Sequence, residues 1–162
     1  MQIRLAGAHD VDLLTLMRLT FLADHAGVEP GTFADEVVAA TRAFAQRGLD
    51  AATLPSWFAD DDTGRCVGVV SLHLLDMPPR TDDRRTLEGY VINLYVDPAH
   101  RHAGVGRALF DACLAGAADH HVRRVFLKAT ADGRPLYERA GFAPNDAWME
   151  LSIRSGREAE QP

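Results

Sequence analysis

Arg101-His-Ala-Gly104-Val-Gly106 is a glycine-punctuated loop whose residue types suit the holding of an anion. Gly104 and Gly106 carry no Cβ, so the chain can turn tightly and a phosphate can approach the main chain closely. If a helix starts here, its first-turn N–H groups are unpaired and its end is partly positive, which adds attraction. The seven histidines invite a metal reading, with His100 and His102, and His120 and His121, as the obvious pairs. Neighbouring helical positions point about 100° apart, and no carboxylate or cysteine at ligand spacing completes either pair, so no metal is expected. Asp60-Asp61-Asp62 reads as a solvated turn rather than a cation site. Cys66 and Cys113 lie far apart in apolar surroundings and read as reduced core thiols, which suggests the cytoplasm.

The flanking sequence supplies elements able to position the loop. Tyr90-Val-Ile-Asn-Leu-Tyr-Val96 is rich in strand formers and Asp97-Pro98 stops it, which predicts a strand over 89–96. Val105, Leu109, Ala112, Cys113 and Gly116 recur at helical spacing and predict a helix over 104–120. Upstream, Gln2 to Ala6 alternates as a short strand. A helix follows over 9–26, with Leu13, Leu16, Met17 and Phe21 on one face. A second helix starts at Thr32-Phe-Ala-Asp-Glu36 and is expected to end at Gly48. Thr53 to Ala59 and Cys66 to Leu75 form a hairpin around the Asp60–Gly64 turn, and 77–86 reads as a flexible surface loop. Arg123 to Ala129 is a strand, Pro135 to Ala140 a short helix closed by Gly141, and Ala147 to Ile153 a final strand. This order is α+β, and the connection through the glycine loop should be a parallel, right-handed crossover.

The bulk properties set limits on function. A chain of 162 residues with 47% hydrophobic content can bury about 70% of its unfolded surface, so one domain over 1–154 with a frayed tail at 155–162 is expected. The net charge of −6 and the single lysine, Lys128, argue against nucleic-acid binding, which needs a basic face. No signal peptide and no run of about 18 apolar residues is present, so neither secretion nor a membrane is expected.

The run Leu94-Tyr-Val-Asp-Pro-Ala-His-Arg-His-Ala-Gly-Val-Gly-Arg-Ala-Leu109 resembles the acetyl-CoA motif of the Gcn5-related N-acetyltransferase (GNAT) superfamily. Ala129-Thr-Ala-Asp-Gly-Arg-Pro-Leu-Tyr-Glu-Arg-Ala-Gly-Phe142 is similar to a second motif of those proteins. The resemblance implies a mixed, twisted sheet, parallel and antiparallel at its centre, with a splayed strand pair and helices on both faces. It also implies transfer of acetyl from acetyl-CoA to a primary amine of a small molecule or peptide, by direct attack in a ternary complex.

Carried over residue by residue, the resemblance implies that Arg101, His102, Ala103, Gly104, Val105, Gly106 and Arg107 wrap the CoA diphosphate, mainly through main-chain N–H groups. Leu94, Tyr95 and Val96 would pair with pantetheine, Thr130 would touch the cofactor, and the Leu94 N–H would polarise the thioester. Tyr137 matches the tyrosine that protonates the departing thiolate; its ordinary pKa of about 10 lies above that of a thiol at about 8.5. Many members carry asparagine where Asp132 stands, and Asp132 is expected to cap the short helix.

Glu88, at the entry of the cofactor strand, is the leading general base and His73 a weaker one. A homodimer is also implied. Two other readings compete: a CoA-binding sensor or scaffold that has lost catalysis, and a Rossmann-type nucleotide site. The latter lacks its third glycine and the ribose-binding acid.

Overall fold

In a computed structural model describing residues 1–29 and 31–153, five strands lie side by side in chain order. They are β1 (Gln2–Leu5), β2 (Ser56–Asp60), β3 (Cys66–Asp76), β4 (Leu87–Val96) and β5 (Arg124–Leu127). The first four pair antiparallel, while β5 runs parallel to β4, as a crossover through a helix requires. The helices are α1 (Val11–Ala26), α2 (Asp35–Asp50), α3 (Val105–Asp119) and α4 (Arg134–Arg139). The chain divides into two compact units, Met1–Lys128, which holds the sheet with α1 to α3, and Ala129–Pro162, which holds α4.

Alternation along β3 explains why helices cover both faces of the sheet. A Cβ built on Gly68 would lie 2.9 Å from Leu109 of α3, whereas Val69 packs into the cluster of Val11, Leu14 and Met17 from α1. Successive strand residues point to opposite faces, so α3 and α1 lie on opposite sides. Trp57 packs on the α3 side, where a Cβ on Gly116 would approach its ring to 2.3 Å; Phe58 joins the α1 cluster.

Several sequence-based boundaries need correction. Leu16 is exposed and Leu14 takes the core position, while Leu13, Met17 and Phe21 pack as expected. α1 ends at Gly27, whose φ of 66° is the left-handed cap. Gly48 does not end α2: it is buried inside the helix, and a Cβ there would lie 2.5 Å from that of Leu54. β2 begins only at Ser56, because Pro55 has no N–H for a ladder, although its carbonyl accepts from Leu72. The 77–86 loop is not loose: Met77 N–H donates to Thr86 O, Arg80 N–H to Asp83 O, and Arg123 Nη1 to Pro78 O and Arg85 O. Residues 147–153 take no strand structure, and Met149, Leu151 and Ile153 stand exposed. The tail expected at 155–162 lies outside the described residues.

Candidate active site

β4 changes character halfway along. Its first half pairs with β5 on one side, Glu88 opposite Arg124 and Val91 opposite Leu127, and there β5 ends. On the other side Ile92 stands opposite Ser71 and Tyr95 opposite Val69, so Asn93 and Leu94 together oppose Val70. That two-against-one count is a β-bulge, and Asn93 makes it with a φ of 62°. Asparagine tolerates this conformation better than the β-branched and aromatic residues around it. From Ile92 to Val96, then, the edge away from β3 has no strand partner among the described residues. The Asp97 N–H donates to Val67 O at 2.8 Å, so alternation turns the polar groups of Val96 towards this open edge. Arg101 Nε meets the Val96 carbonyl there at 3.0 Å.

The glycine loop follows directly. Asp97 accepts from Ala99 N–H and opens a short 3₁₀ turn at Pro98–His100. His102 and Gly104 both have left-handed φ, 62° and 83°, which folds the loop into the start of α3. The first helical bond runs from Ala108 N–H to Gly104 O at 3.0 Å, leaving the amides of Val105, Gly106 and Arg107 directed out of the helix end. A Cβ on Gly106 would touch only Val96 Cγ2, at 3.6 Å, and one on Gly104 would touch nothing. Among the described residues no side chain beyond Val96 fills the space beside these two glycines, which suits a phosphate cradle.

The side chains of this stretch have other work. Tyr95 is buried in the α1 cluster, edge-on to Phe21, and burial pushes its hydroxyl pKa up. Val105 is buried against β3. Arg101 reaches back to Asp24 at 2.8 Å and lies over the Tyr95 ring, tying the loop to α1. Arg107 pairs with Asp111 one turn along α3. What remains at the edge and loop is main chain, together with the exposed His102 and Ala103.

Glu88 lies at the far end of β4. Its carboxylate is 2% exposed, with Oε1 accepting from Arg123 Nε and Nη2 at 2.9 and 2.8 Å and Oε2 from Arg124 Nη2 at 2.6 Å. Six residue steps along the strand separate it from Leu94, about 20 Å at the usual rise. His73 packs edge-on against Phe44 of α2, with ring centroids 5.5 Å apart. Burial raises both thiols, Cys113 to about 12, which leaves neither suited to act as a nucleophile.

In the second unit, Tyr137 sits on α4, 9% exposed, with its pKa pushed up by burial. Gly133 makes room for it: a Cβ there would approach the ring to 2.9 Å. The helix start is held by Thr130, whose hydroxyl accepts from Gly133 N–H and whose carbonyl accepts from Arg134 N–H, and not by Asp132 as expected. Gly141, with φ 92°, ends the helix as predicted.

Two residues of the first unit escape the sequence reading. Asn93 is 6% exposed, and its Oδ1 is buried without a hydrogen-bond partner among the described residues. A turn-forming residue inside Tyr90–Val96 is the signal that could have found it. Arg18, with Leu14 and Leu22 at spacings of four, lines a cleft of about 350 Å³ bounded by α1, α2, β3 and β4. Asn93 stands in the wall of the same cleft. Among the described residues no group of three or more His, Cys, Asp and Glu could hold a metal ion, and no helix is long and apolar enough to cross a membrane.

A mixed sheet in which β4 runs on past the end of β5 into a glycine-bearing helix start defines an α+β protein with an open strand edge beside that helix. The chain belongs to the acetyltransferase (GNAT) family, whose model matches residues 19–142. A glucosamine 6-phosphate N-acetyltransferase of Trypanosoma brucei brucei is 31% identical over 96 residues, 59% of this chain and 63% of that protein. The match thus spans less than two thirds of that relative. Among solved structures, a predicted acetyltransferase of Clostridium acetobutylicum with acetyl-CoA superposes with a TM-score of 0.82 at 26% identity, covering 93% of this chain and 95% of that one. A GCN5-related N-acetyltransferase of Ralstonia eutropha JMP134 gives 0.77 at 27% identity, over 94% and 97%.

Proposed function

We propose that this protein transfers the acetyl group of acetyl-CoA to a primary amine by direct attack in a ternary complex. The observation that carries the reading is the continuity of one stretch of main chain: an unpartnered strand edge at 92–96, then a helix N-terminus at 104–107 with its amides free. In this scheme pantetheine lies along Leu94, Tyr95 and Val96 as an added strand, and the diphosphate rests on the loop from Arg101 to Arg107. The Leu94 N–H, turned by the bulge, polarises the thioester carbonyl. The amine nitrogen bonds to the carbonyl carbon, the C–S bond breaks, the thiolate takes a proton from Tyr137, and the surplus proton of the new amide nitrogen passes through water to restore the phenol.

The nucleophile must first lose a proton. For an alkylammonium of pKa about 10.4 this costs about 4–5 kcal/mol at pH 7. Glu88 is assigned no part in that step, because both its oxygens are bonded to arginine; water in the open cleft accepts the proton. The raised thiols favour direct transfer over a thioester on the enzyme. The role of Tyr137, and that of Thr130 towards the cofactor, rests on the family resemblance.

Acetyl-CoA incubated with a panel of primary amines, with free thiol followed by colorimetry and the acetylated amine by mass, tests the proposal. Amine-dependent thiol release in equal amount to product is expected. Tight CoA binding with no release on any amine would overturn it in favour of a CoA-binding scaffold.

A further inference from the structure

The cleft between α1, α2 and the β3–β4 pair is apolar over most of its wall, through Leu14, Leu22, Phe44, Leu54 and Ile92, and among the described residues Arg18 is its one cationic side chain. Arg4, Arg65, Arg101 and Arg123 each meet a carboxylate within 2.9 Å. Arg18 has no such partner among the described residues: its guanidinium lies over the Phe21 ring at 5.3 Å, and the only titratable group acting on it is the Tyr90 hydroxyl. Burial pushes its pKa down, which records the cost of holding a lone cation there. A partly desolvated guanidinium without a counter-ion is a site awaiting an anion, and its planar fork suits a carboxylate.

We infer that the acceptor is a primary amine carrying one carboxylate on an apolar carbon frame, with the carboxylate held by Arg18 and the frame lying against the leucines and Phe44. The inference rests on the acetyl-transfer reading, because Asn93, the neighbour of Leu94, lines the same cleft as Arg18. A ligand anchored on α1 by its carboxylate therefore presents its amine towards the thioester. A sugar phosphate fits this lining less well: among the described residues only Thr41, Ser71 and Asn93 offer uncharged polar groups, few for a ring of hydroxyls, and one guanidinium would leave half of a phosphate dianion uncompensated.

Matched amines that differ only in the carboxylate give the test: leucine against isoamylamine, and aminohexanoate against hexylamine, with glucosamine 6-phosphate as a third arm. The expected result is a kcat/KM at least tenfold higher for the carboxylated member of a pair. That ratio should fall to within about twofold in Arg18→Met and be largely kept in Arg18→Lys. A preference for the neutral amines or for glucosamine 6-phosphate, or a ratio unmoved by Arg18→Met, overturns the inference and leaves acetyl transfer standing. Absence of thiol release on every amine overturns the transfer reading instead. Calorimetric titration with leucine then decides the carboxylate site alone: binding that weakens tenfold in Arg18→Met supports it, and binding that is absent or equal in both proteins overturns it.

Discussion

Glu88 shows how burial can turn a reactive side chain into a bracket. Desolvation alone would raise its pKa, but the guanidiniums of Arg124 and Arg123 outweigh that and hold it below the ordinary carboxylate value. Arg123, itself 7% exposed, also bonds two carbonyls of the 77–86 loop, so one carboxylate joins the starts of β4 and β5 to that loop. Such an anion is ionised at neutral pH, and each of its oxygens already accepts from an arginine. Glu88→Gln should therefore lower unfolding stability by about 3 kcal/mol, since removing one partner strands buried positive charge. Urea titration measures this, and kcat per folded molecule should change less than threefold. A general base would show the reverse, a loss of about 10²–10⁴ in kcat with the stability intact.

The element that does most for the candidate site is the junction of β4, the glycine loop and α3, and its two glycines serve different ends. Gly104 has a φ of 83° that an L side chain adopts only under strain. Gly106 has ordinary helical surroundings and would accept a Cβ with a single contact at 3.6 Å. Alanine is favoured over glycine inside a helix by roughly 0.5–1 kcal/mol, so the fold gains nothing from glycine at 106. Gly106→Ala should accordingly leave the melting temperature unchanged or slightly higher while weakening CoA binding at least tenfold by calorimetry; unchanged CoA affinity would remove the loop from the site. This junction was legible in the sequence because the strand formers, Asp97-Pro98, the glycines and the helical period of Val105, Leu109 and Cys113 all agree. Other elements were less so. Glycine spacing cannot tell a helix stop from a close contact, which is why Gly48 misleads until Leu54 is seen against it. The alternation of Trp148 to Ile153 looks like a strand, but residues 147–153 take no strand structure. Arg18 was illegible for another reason: it meets no carboxylate among the described residues, and only the folded arrangement of charges reveals that.

At the scale of the whole molecule, the sheet is clamped near both edges by buried carboxylates. Near one edge Asp10, 5% exposed, accepts from Arg4 at 2.9 and 3.0 Å and from the Gly7 N–H, and Arg4 also grips Asp60 of β2. Near the other stands Glu88 with its two arginines. β3 lies between the two clusters and no residue belongs to both, so their contributions should add. The Arg4 hydrogen bonds hold Asp10 below its ordinary pKa, as the arginines do Glu88. A carboxylate depressed in the folded state contributes stability that is complete above its unfolded pKa, about 3.9 for Asp and 4.3 for Glu, and is lost as pH falls through the folded value. The urea midpoint should therefore stay nearly level between pH 8 and pH 5 and fall steeply below about pH 4. The double variant Asp10→Asn, Glu88→Gln should start lower at neutral pH and fall less steeply, because two of the groups that take up protons on acid unfolding are gone. Some slope should persist from other carboxylates such as the half-buried Asp83, which Arg85 holds to about 2. If the two curves instead run parallel down to pH 3, acid unfolding is driven elsewhere, and the clamps are not what closes the sheet at its edges.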